Sequence, residues 1–415
     1  MYPKNFLLLT FLFFTTSLFA KQIEVCANCK VKTIKEAISL ADDGDEIIIK
    51  EGIYKEHGVI LINKSVKITG INYPIIDGEN KETILSIKAD NFSISGLKII
   101  NVGQSYTKDF AGILVSKSNH FTIENNILEE VFFGILIEKS HNGIVRNNTV
   151  SGSGINQAGS GNGVHMWHSS KMKVSNNTVF GLRDGLYFEF VKHSEIFDNV
   201  SYENLRYGLH FMFSNNNEYH DNIFTNNGAG VAVMFSKFVK MKNNQFIDNW
   251  GSASYGLLLK EIYDADIEDN LFSENTIGIS VDGSTRINYK RNTFLRNGWA
   301  IKIVGACYEN DFAQNNFLHN AIDLSYNSKI NTNTFNSNYW SDYTGYDLDK
   351  NGIGDVPYRP VKLFSYIVHK TPETIVLLRS LFVDIINFSE KVSPVFTPDN
   401  LLDNNPLMQR INDTN

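Results

Sequence analysis

Three residues with soft or nitrogen donor atoms stand at matching positions of the chain: His210, Met212 and Met234. His210 and Met212 are two residues apart, which places both side chains on one face of a β-strand. Met234 follows Met212 after one period of an internal sequence repeat. Imidazole nitrogen and thioether sulfur suit copper, Cu(I) in particular. The three residues are therefore the tightest candidate for a copper site, if the fold stacks successive repeats on one another.

Further candidate copper ligands precede this group in the chain. They are Glu189, His165, Met166 and His168. His165 lies two repeats before His210, a separation of about 9.6 Å when neighbouring strands are about 4.8 Å apart. We therefore expect His165 to join the site only through a shift of the chain or with a second ion.

The repeat sets the spacing of these residues. A Gly followed by alternating apolar residues returns with a period of about 22 residues, which is typical of stacked structural repeats. An Asn pair follows in the second half of each unit. The repeated glycines are Gly112, Gly134, Gly163, Gly185, Gly208, Gly230, Gly256 and Gly278. The repeated asparagines are Asn126, Asn148, Asn177, Asn199, Asn222, Asn244, Asn270, Asn292 and Asn316.

Each unit reads as strand, turn, strand, turn, with an apolar alternation too short for a helix. A leucine-rich repeat of similar length would need a Leu-rich signature and a convex helix, and the units have neither. We therefore predict an all-β fold, a right-handed single-stranded parallel β-helix of about 22-residue coils. Nine or ten regular coils are expected between Gly112 and Phe335, with Asn side chains stacked along the axis.

The repeat also predicts which side chains face outward. Residues one and three after each Gly point into the core, and residues two and four after it point out. The outward pairs in successive coils are Leu114/Ser116, Leu136/Glu138, His165/Trp167, Tyr187/Glu189, His210/Met212, Ala232/Met234 and Leu258/Lys260. This stripe fits a copper site, a surface for a ligand or partner, or a sheet face covered by other parts of the protein.

Two features lie beside the stripe. The repeat unit is longer at residues 151–161 and 250–255. Insertions in a solenoid form loops, which either border a binding face or result from neutral sequence drift. Arg183 and Arg206 stand two residues before Gly185 and Gly208, with Asp184 next to the first of them. These arginines fit a structural ion pair, an anion site or a dock for a partner's carboxylate.

The N-terminal residues predict export. Lys4, an apolar run and small residues up to Ala20 form a secretory signal peptide over residues 1–20, with a membrane-retained anchor as the alternative. Removal of Lys4 changes the formal charge from −7 to −8, and an acidic protein is a poor partner for nucleic acid. We expect an N-terminal cap and the first coils over 21–75, with a capping box at 33–36 that begins a short helix. The first coil is expected at 46–54.

The chain contains three cysteines. Cys26 and Cys29 form a C-x-x-C pair, which in an oxidising compartment fits a disulfide or inert thiols better than a metal site. Cys307 stands alone in a late coil.

Regular repeats are expected over 76–337, and residues 338–360 form a closing loop rich in Asp, Asn and Gly. Its candidate calcium ligands are Asp347, Asp349, Asn351 and Asp355, spaced as in an EF-hand loop. The twelfth position is Tyr358 instead of Glu, so a turn system that closes the last coil is the alternative. Residues 361–415 predict an amphipathic helix, which either caps the solenoid or docks on a membrane or membrane protein, followed by an extended arm from 392 onward.

A carbohydrate-active protein is the main rival class. A lyase or epimerase needs a base beside an Arg or Lys, and a hydrolase needs paired carboxylates. Asp184, Glu189 and Arg206 are candidates for these roles. The outward face is richer in Met, Phe and His than a sugar cleft, which disfavours an enzyme or glycan-binding module.

The same coils resemble a known family over essentially the whole chain. The matching segments are 183–190, 204–213, 227–234, 249–260, 345–349, 352–360, 377–380 and 406–408. They look like NosD, the periplasmic maturation protein of nitrous-oxide reductase. Cys26 and Cys29 are not part of this likeness.

The resemblance implies an accessory protein of copper-site assembly instead of a catalyst. It implies a periplasmic β-helix held at the inner membrane by an ABC permease and its ATPase, with the C-terminal tail as the docking element. It also implies a copper chaperone lipoprotein as donor and apo nitrous-oxide reductase as acceptor. It strengthens the copper interpretation of His210, Met212 and Met234, whose assignment still rests on coil stacking.

Overall fold

The computed structural model describes residues 20–411, apart from residues 106, 153, 155, 328–330, 379 and 393–400. Residues 1–19 of the predicted signal peptide lie outside the described residues, as do 393–400 and 412–415 of the predicted arm. The described residues form a right-handed parallel β-helix, as the repeat predicts. Each regular coil contributes three strands, one more than the sequence pattern suggests, and the strands stack into three parallel sheets of 14, 12 and 13 strands.

Sheet 1 contains β1 (Gln22–Val25), β2 (Glu46–Ile49), β5 (Lys67–Gly70), β8 (Ser93–Ser95), β11 (Thr122–Glu124), β14 (Ile144–Arg146), β17 (Lys173–Ser175), β20 (Glu195–Phe197), β23 (Glu218–His220), β26 (Lys240–Lys242), β29 (Tyr263–Glu268), β32 (Thr285–Lys290), β35 (Asp311–Ala313) and β38 (Thr334–Asn336). Sheet 2 contains β4 (Ile60–Ile62), β7 (Leu85–Ile87), β10 (Ala111–Ser116), β13 (Phe133–Glu138), β16 (Asn162–Trp167), β19 (Asp184–Glu189), β22 (Tyr207–Met212), β25 (Ala229–Met234), β28 (Leu257–Lys260), β31 (Ile277–Asp282), β34 (Trp299–Val304) and β37 (Ile322–Tyr326). Sheet 3 contains β3 (Ile53–Tyr54), β6 (Ile75–Asp77), β9 (Lys98–Ile100), β12 (Ile127–Glu129), β15 (Thr149–Ser151), β18 (Thr178–Phe180), β21 (Val200–Tyr202), β24 (Ile223–Thr225), β27 (Gln245–Ile247), β30 (Leu271–Ser273), β33 (Thr293–Leu295), β36 (Asn316–Leu318) and β39 (Tyr339–Trp340).

The apolar residues of the three sheets meet in one continuous core. Most strands of sheet 3 contain only three residues, so each coil contributes one inward side chain to this sheet. In the later coils that side chain is aromatic. The rings of Phe246, Phe272, Phe294, Phe317 and Trp340 stack with centroid separations between 4.0 and 5.1 Å. Offset stacking of this kind stabilises the contact between coils beyond the burial of apolar area.

A ladder of buried Asn side chains joins the coils. Each Asn carboxamide oxygen accepts from the backbone N–H and from the side-chain amide of its equivalent one coil earlier. The ladder runs through Asn126, Asn148, Asn177, Asn199, Asn222, Asn244, Asn270, Asn292, Asn315 and Asn338. Asn316, expected in this series, is the residue beside the ladder. A second ladder, absent from the sequence expectations, joins Asn204, Asn227, Asn249, Asn275, Asn297 and Asn320.

The N-terminal end is closed by α1 (Ile34–Leu40), which buries Ile34, Ala37 and Ile38. Thr33 accepts from the backbone N–H of Glu36 at 3.2 Å, so the predicted helix cap is confirmed. One strand, β1, precedes the segment expected to open the solenoid and pairs with β2. Cys26 and Cys29 form a disulfide.

The C-terminal end is closed by residues 401–411. Asp403 accepts from the backbone and side-chain amides of Asn338 at 2.9 and 3.0 Å and from the Trp340 indole N–H at 3.0 Å. It therefore completes the first Asn ladder. Ile411 exchanges two hydrogen bonds with the Asn316 side chain. The described part of the predicted arm is thus packed on the last coils.

Two α-helices lie between the closing loop and this segment, α2 (Leu363–Lys370) and α3 (Leu381–Val392), joined through a 3₁₀ helix at Pro372–Leu377. Phe364, Val368 and Val383 bury against one another and against Trp299 of sheet 2. The helices therefore cover the side of the last coils and do not close the end of the solenoid. None of the helices in the described ranges is long and apolar enough to cross a membrane.

We predict that Asn222→Ala lowers the free energy of unfolding by about 2–5 kcal/mol. The substitution removes two hydrogen bonds that its oxygen accepts and three that its amide donates, and each buried group left without a partner costs about 1–3 kcal/mol. Urea denaturation measures the change. The exposed strand residue Asn288 is the control, and Asn288→Ala is expected to change stability by less than about 0.5 kcal/mol. Equal effects at the two positions would contradict the role of the ladder.

Candidate functional site

The outer face of sheet 2 carries the residues on which the copper prediction depends. His165, Tyr187 and His210 pair in register through β16, β19 and β22. A second row, four residues after each Gly, pairs Trp167 with Glu189, Glu189 with Met212, and Met212 with Met234. The predicted register is confirmed, so side chains from successive coils, far apart in the sequence, share one surface.

Two of the proposed copper ligands lie elsewhere. Met166 is fully buried in the core between the coils, because it stands at an inward position between His165 and Trp167. His168 lies one residue beyond β16, at an exposed corner, where its ring stacks on Phe190 at 4.4 Å and meets Trp167 edge-on at 4.3 Å. Met166 is therefore unable to reach an ion on the outer face without a rearrangement of the core.

His210 is the least satisfied polar residue of this face. Its side chain is held between the rings of Tyr187 and Tyr207, with centroid separations of 5.0 and 4.9 Å. The residue is only 6% exposed, and neither ring nitrogen has a hydrogen-bond partner in the described part of the protein. Burial lowers the pKa of His210 to about 4. The imidazole is thus neutral at pH 7, the form that binds a metal ion.

His165 lies in a similar but better satisfied environment. Its Nδ1 is 3.3 Å from the side-chain amide of Asn162. The Tyr187 ring stands between the two histidines, 4.6 Å from His165 and 5.0 Å from His210. Burial, assisted by the positive charge of Arg183, lowers the pKa of His165 to about 3. The tyrosine separates the histidines, so a shared ion needs the Tyr187 side chain to move.

The two arginines belong to a polar network at the start of the same strands. Arg206 forms a bidentate pair with the fully buried carboxylate of Asp184 and lies over the Tyr207 ring at 4.9 Å. Arg183 donates to Asn162 at 3.1 Å. The geometry favours a structural ion pair over an anion site or a dock for a partner's carboxylate, because both carboxylate oxygens of Asp184 accept from the guanidinium of Arg206.

Both insertions lie at this edge of sheet 2. The first, which includes residues 153 and 155 outside the described ranges, places the side-chain amide of Gln157 3.3 Å from the carbonyl of Leu205. The second ends at Tyr255, whose ring stacks on Tyr207 at 6.4 Å. The loops therefore border the arginine side of the face and leave Met212 and Met234 on the opposite side.

A column of aromatic rings, not predicted from the outward strand positions, lies beside this face. His168, Phe190, Phe213 and Phe235 occupy the corner position that follows sheet 2, one residue after the row of Trp167, Glu189, Met212 and Met234. These residues stand five after each Gly, outside the strand positions two and four after Gly that predict the outward rows. The return of Phe at the interval of the repeat, from Phe190 to Phe213 and Phe235, is the signal that identifies this column.

The predicted calcium loop is held by its own hydrogen bonds. Asp347 accepts from the backbone N–H groups of Asn351 and Gly352 at 3.2 and 2.8 Å. Asp355 accepts from the N–H of Leu348 at 2.7 Å, and the Asp349 carboxylate from the side chain of Asn351 at 2.9 Å. Such bonds close the loop as a turn system without an ion. Calcium binding here stays a prediction.

Among the described residues, no three His, Cys, Asp or Glu side chains are arranged to hold a metal ion. Met is not among these four residue types, so this absence neither supports nor contradicts a copper site built from His210, Met212 and Met234. The thioethers of Met212 and Met234 are partly exposed at neighbouring positions.

The chain is similar to known proteins along most of its length. A family model described as NosD, periplasmic copper-binding protein, matches residues 151–345, and one described as right-handed beta helix region matches residues 24–179. A probable ABC transporter binding protein NosD of Pseudomonas aeruginosa is 27% identical over 80% of this chain and 82% of its own length. Its counterpart from Stutzerimonas stutzeri is 26% identical over 81% of this chain and 80% of its own length.

Solved structures share the fold alone. A family 28 exopolygalacturonase of Yersinia enterocolitica superposes with a TM-score of 0.60 and 11% identity, over 76% of this chain and 78% of its own. The Dettilon tailspike protein superposes with a TM-score of 0.59 and 14% identity, over 72% of this chain and 65% of its own. At these identities neither likeness indicates an activity for this chain.

We predict that the imidazoles of His165 and His210 stay neutral down to about pH 4–5, because their burial disfavours the charged form. His220 is the internal control. Burial disfavours its charged form too, but hydrogen bonds to Asp221 and Glu195 outweigh that effect and raise the pKa of His220 above its usual range. NMR correlation of the ring nitrogens across pH 4–8 measures all three. A midpoint near pH 6.5 for His210 would show that its site is hydrated.

Proposed function

We propose that this chain is a NosD-family protein, an exported accessory protein for the maturation of nitrous-oxide reductase. The family model over residues 151–345 and the two NosD relatives support this proposal. The protein acts with an ABC transporter, as the names of its relatives indicate for those proteins. Its cargo is copper, which it receives from a chaperone lipoprotein and passes to the apo-enzyme. The outer face of sheet 2 holds the ion in transit.

The unpartnered imidazole of His210 is the observation that carries this proposal. A buried polar group without a hydrogen bond costs free energy, and native structures keep few of them. Both ring nitrogens of His210 are in this condition. A soft metal ion supplies the missing partner to one nitrogen, and the lowered pKa of the imidazole means that no proton has to be displaced at pH 7.

Met212 and Met234 complete the donor set. They pair directly across β22 and β25, about 4.8 Å apart along the solenoid axis. Their flexible thioethers lie on the same face as His210, one alternation farther along the strand. Imidazole and thioether donors favour Cu(I) over Zn²⁺ or Ca²⁺. Glu189, next in register to Met212, adds a carboxylate at the edge of the group.

This donor set suits transfer better than storage. Met212 and Met234 are partly exposed, so a partner is able to offer competing ligands to the ion while it is still bound. Copper then passes between proteins by exchange of ligands, with no covalent bond formed in the polypeptide. Because the ion is cargo, the fold needs no enclosed metal cage.

A carbohydrate-active enzyme is the second candidate, and the geometry disfavours it. Asp184, the carboxylate that would have to act as the base, is fully buried and paired with Arg206. Glu189 is surrounded in register by Trp167 and Met212, with no second carboxylate beside it in that row. Glu138 lies two coils before Glu189 in the same row, with Trp167 between the two carboxylates, so they do not form the close pair that a retaining glycosidase uses.

The exposed side of α3 supports association with a membrane protein. Leu381, Phe382, Ile385, Phe388 and Val392 are each more than half exposed. They follow one another at helical spacing on the side of α3 opposite Val383, which packs against the body. A stripe of this kind fits a hydrophobic groove of a partner. We assign it to the contact with the permease, which keeps the protein at the inner membrane.

A Cu(I) titration tests the copper site. His210→Phe, Met212→Leu and Met234→Leu preserve the volume of each side chain and remove its donor atom. We expect the triple variant to lose more than about 100-fold in Cu(I) affinity, since loss of supporting partners alone costs about 10- to 100-fold. A competing chromophoric Cu(I) chelator measures the affinity.

Two controls sharpen the titration. All proteins carry Cys26→Ser and Cys29→Ser, because reduction of the disulfide would release thiolates that bind Cu(I). Met166→Leu is the matched control, and its affinity is expected to stay within about threefold of the parent because Met166 lies in the core. Equal affinity in parent and triple variant would remove the proposed site.

The assignment of α3 is tested by retention of the ABC permease and ATPase on the immobilised protein. The double variant Phe382→Ser/Phe388→Ser is expected to reduce retention at least about tenfold, because each side chain contributes more than about 1 kcal/mol to the free energy of binding when it is buried in a groove. Ile53→Ser, equally exposed at the opposite end of the solenoid, is the control. Undiminished retention by the double variant would place the contact elsewhere.

A further inference from the structure

The aromatic column, His168, Phe190, Phe213 and Phe235, is built at a conformational cost. Its rings stack with centroid separations of 4.4, 5.1 and 5.2 Å. All four residues have left-handed backbone angles, with φ between 48° and 56°. That conformation costs a residue with a side chain roughly 1–2 kcal/mol, and it suits Asn and Asp far better than Phe.

At its other left-handed corners the chain uses polar residues almost without exception. Forty residues other than Gly have a positive φ in the described ranges, and all are polar or charged except Tyr73 and four phenylalanines. The four are Phe190, Phe213, Phe235 and the adjacent Phe238. At the same corner, the coils before and after the column carry Lys117, Lys139 and Glu261 instead. The backbone therefore does not call for aromatic residues here.

Core packing does not account for the column either. Phe213 and Phe235 are 38% and 37% exposed, and Phe238 is 54% exposed. Stacking between the rings repays part of the conformational cost, yet the core already contains stacked rings in the later coils. Aromatic side chains that stack in a row at one corner and stay more than a third exposed there, as Phe213 and Phe235 do, are typical of an interaction surface.

Lysine side chains line the side of the column that faces sheet 1. Lys171, Lys192 and Lys237 follow His168, Phe190 and Phe235 within two or three residues, and all three are exposed. In the described part of the chain none of them is paired with a carboxylate within 4.0 Å. The protein as a whole is acidic, with a formal charge of −7. This local positive rim therefore complements a partner with acidic groups around an apolar patch.

The column also lies directly beside the proposed copper ligands. Met212 precedes Phe213 in the chain, and Met234 precedes Phe235. A partner seated on the column covers both thioethers and shields the ion from water during exchange. Sugar-binding platforms combine aromatic rings with many polar neighbours, whereas the row beside these rings holds one carboxylate, Glu189, against Trp167 and the thioethers of Met212 and Met234, which favours a protein over a glycan.

We propose that the aromatic column and its lysine rim form the docking surface for the copper acceptor, an apo-protein that presents an apolar patch ringed by Asp and Glu. This inference rests on the proposed function, because the acceptor is the apo nitrous-oxide reductase named there. Rings bury apolar area at the centre of the contact, and the lysines set its orientation and speed the encounter.

Binding of purified apo nitrous-oxide reductase to the immobilised full-length protein tests the inference at two ionic strengths. Phe213→Ser with Phe235→Ser is expected to weaken binding at least about tenfold. Lys171→Glu with Lys192→Glu and Lys237→Glu is expected to weaken it at least about tenfold at low salt, with a smaller dependence on salt than the parent.

Matched controls carry the same chemical changes far from the column. Leu61→Ser removes an exposed apolar side chain near the N-terminal end of sheet 2, and Lys30→Glu with Lys32→Glu and Lys88→Glu makes the same change of net charge. Both controls are expected to bind as the parent does. Circular dichroism of every variant excludes loss of the fold.

Cu(I) affinity of each variant separates this inference from the proposed function. The column and lysine variants retain His210, Met212 and Met234, so their Cu(I) affinity is expected to match that of the parent. Parent-like docking in both variants, or no docking of the reductase to the parent, would overturn the inference. The inference would also be overturned if the Phe213/Phe235 variant lost binding of a uronic-acid oligosaccharide, or lost self-association, while it still bound the reductase. Docking of the reductase by a parent protein that binds no Cu(I), or binds it no more tightly than the His210/Met212/Met234 triple variant does, would overturn the proposed function instead.

Discussion

The hydrogen bonds of the buried Asn ladder are the constraint on which the rest of this structure depends. After Asn126, each carboxamide oxygen of the ladder accepts twice from the Asn one coil earlier, as Asn222 does, and its amide donates to a backbone carbonyl of the preceding coil and to the side chain of the next ladder residue. Because an unpaired amide inside the solenoid is costly, every coil must place its Asn directly over the previous one. That requirement sets the register of all three sheets, and with it the alignment of His165, Tyr187 and His210 on the outer face.

The outer face of sheet 2 divides into two regions with different capacity for ligands. Near the insertion loops, Asp184 pairs with Arg206 and Arg183 donates to Asn162, so most polar groups of that region are paired, and Arg183 Nε is the buried donor there that has no hydrogen-bond partner among the described residues. Toward the opposite corner lie the thioethers of Met212 and Met234 and the exposed rings of the aromatic column. Among the residues that the structure describes, they have no partner that binds as strongly as Asp184 and Arg206 bind each other. His210 lies between the regions with its nitrogens unpaired. Ligand binding is favoured where the chain has left its own bonding incomplete.

The C-terminal segment separates closure of the solenoid from contact with partners. Asp403 ends the Asn ladder with a carboxylate, which has no N–H group and therefore needs no acceptor beyond it. The helices are then free to pack sideways on Trp299 while α3 keeps its second face exposed. A repeat protein needs its last coil covered to stay soluble, and here that task falls to residues 401–411. The exposed stripe of α3 is therefore not required for stability of the coils.

The β-helix, its period and the outward rows follow from the sequence alone, because a short, regular repeat with apolar alternation leaves one stacking arrangement. The same register puts His210, Met212 and Met234 on one face, Met166 at an inward position, and Tyr187 in the coil between His165 and His210. Only the folded chain shows that Asn315 and not Asn316 joins the ladder. It alone revealed the unpaired nitrogens of His210 and the exposure of the aromatic column. A periodic pattern fixes which residues are neighbours, whereas ring orientation, burial and hydrogen bonding depend on contacts among several coils that no local pattern encodes.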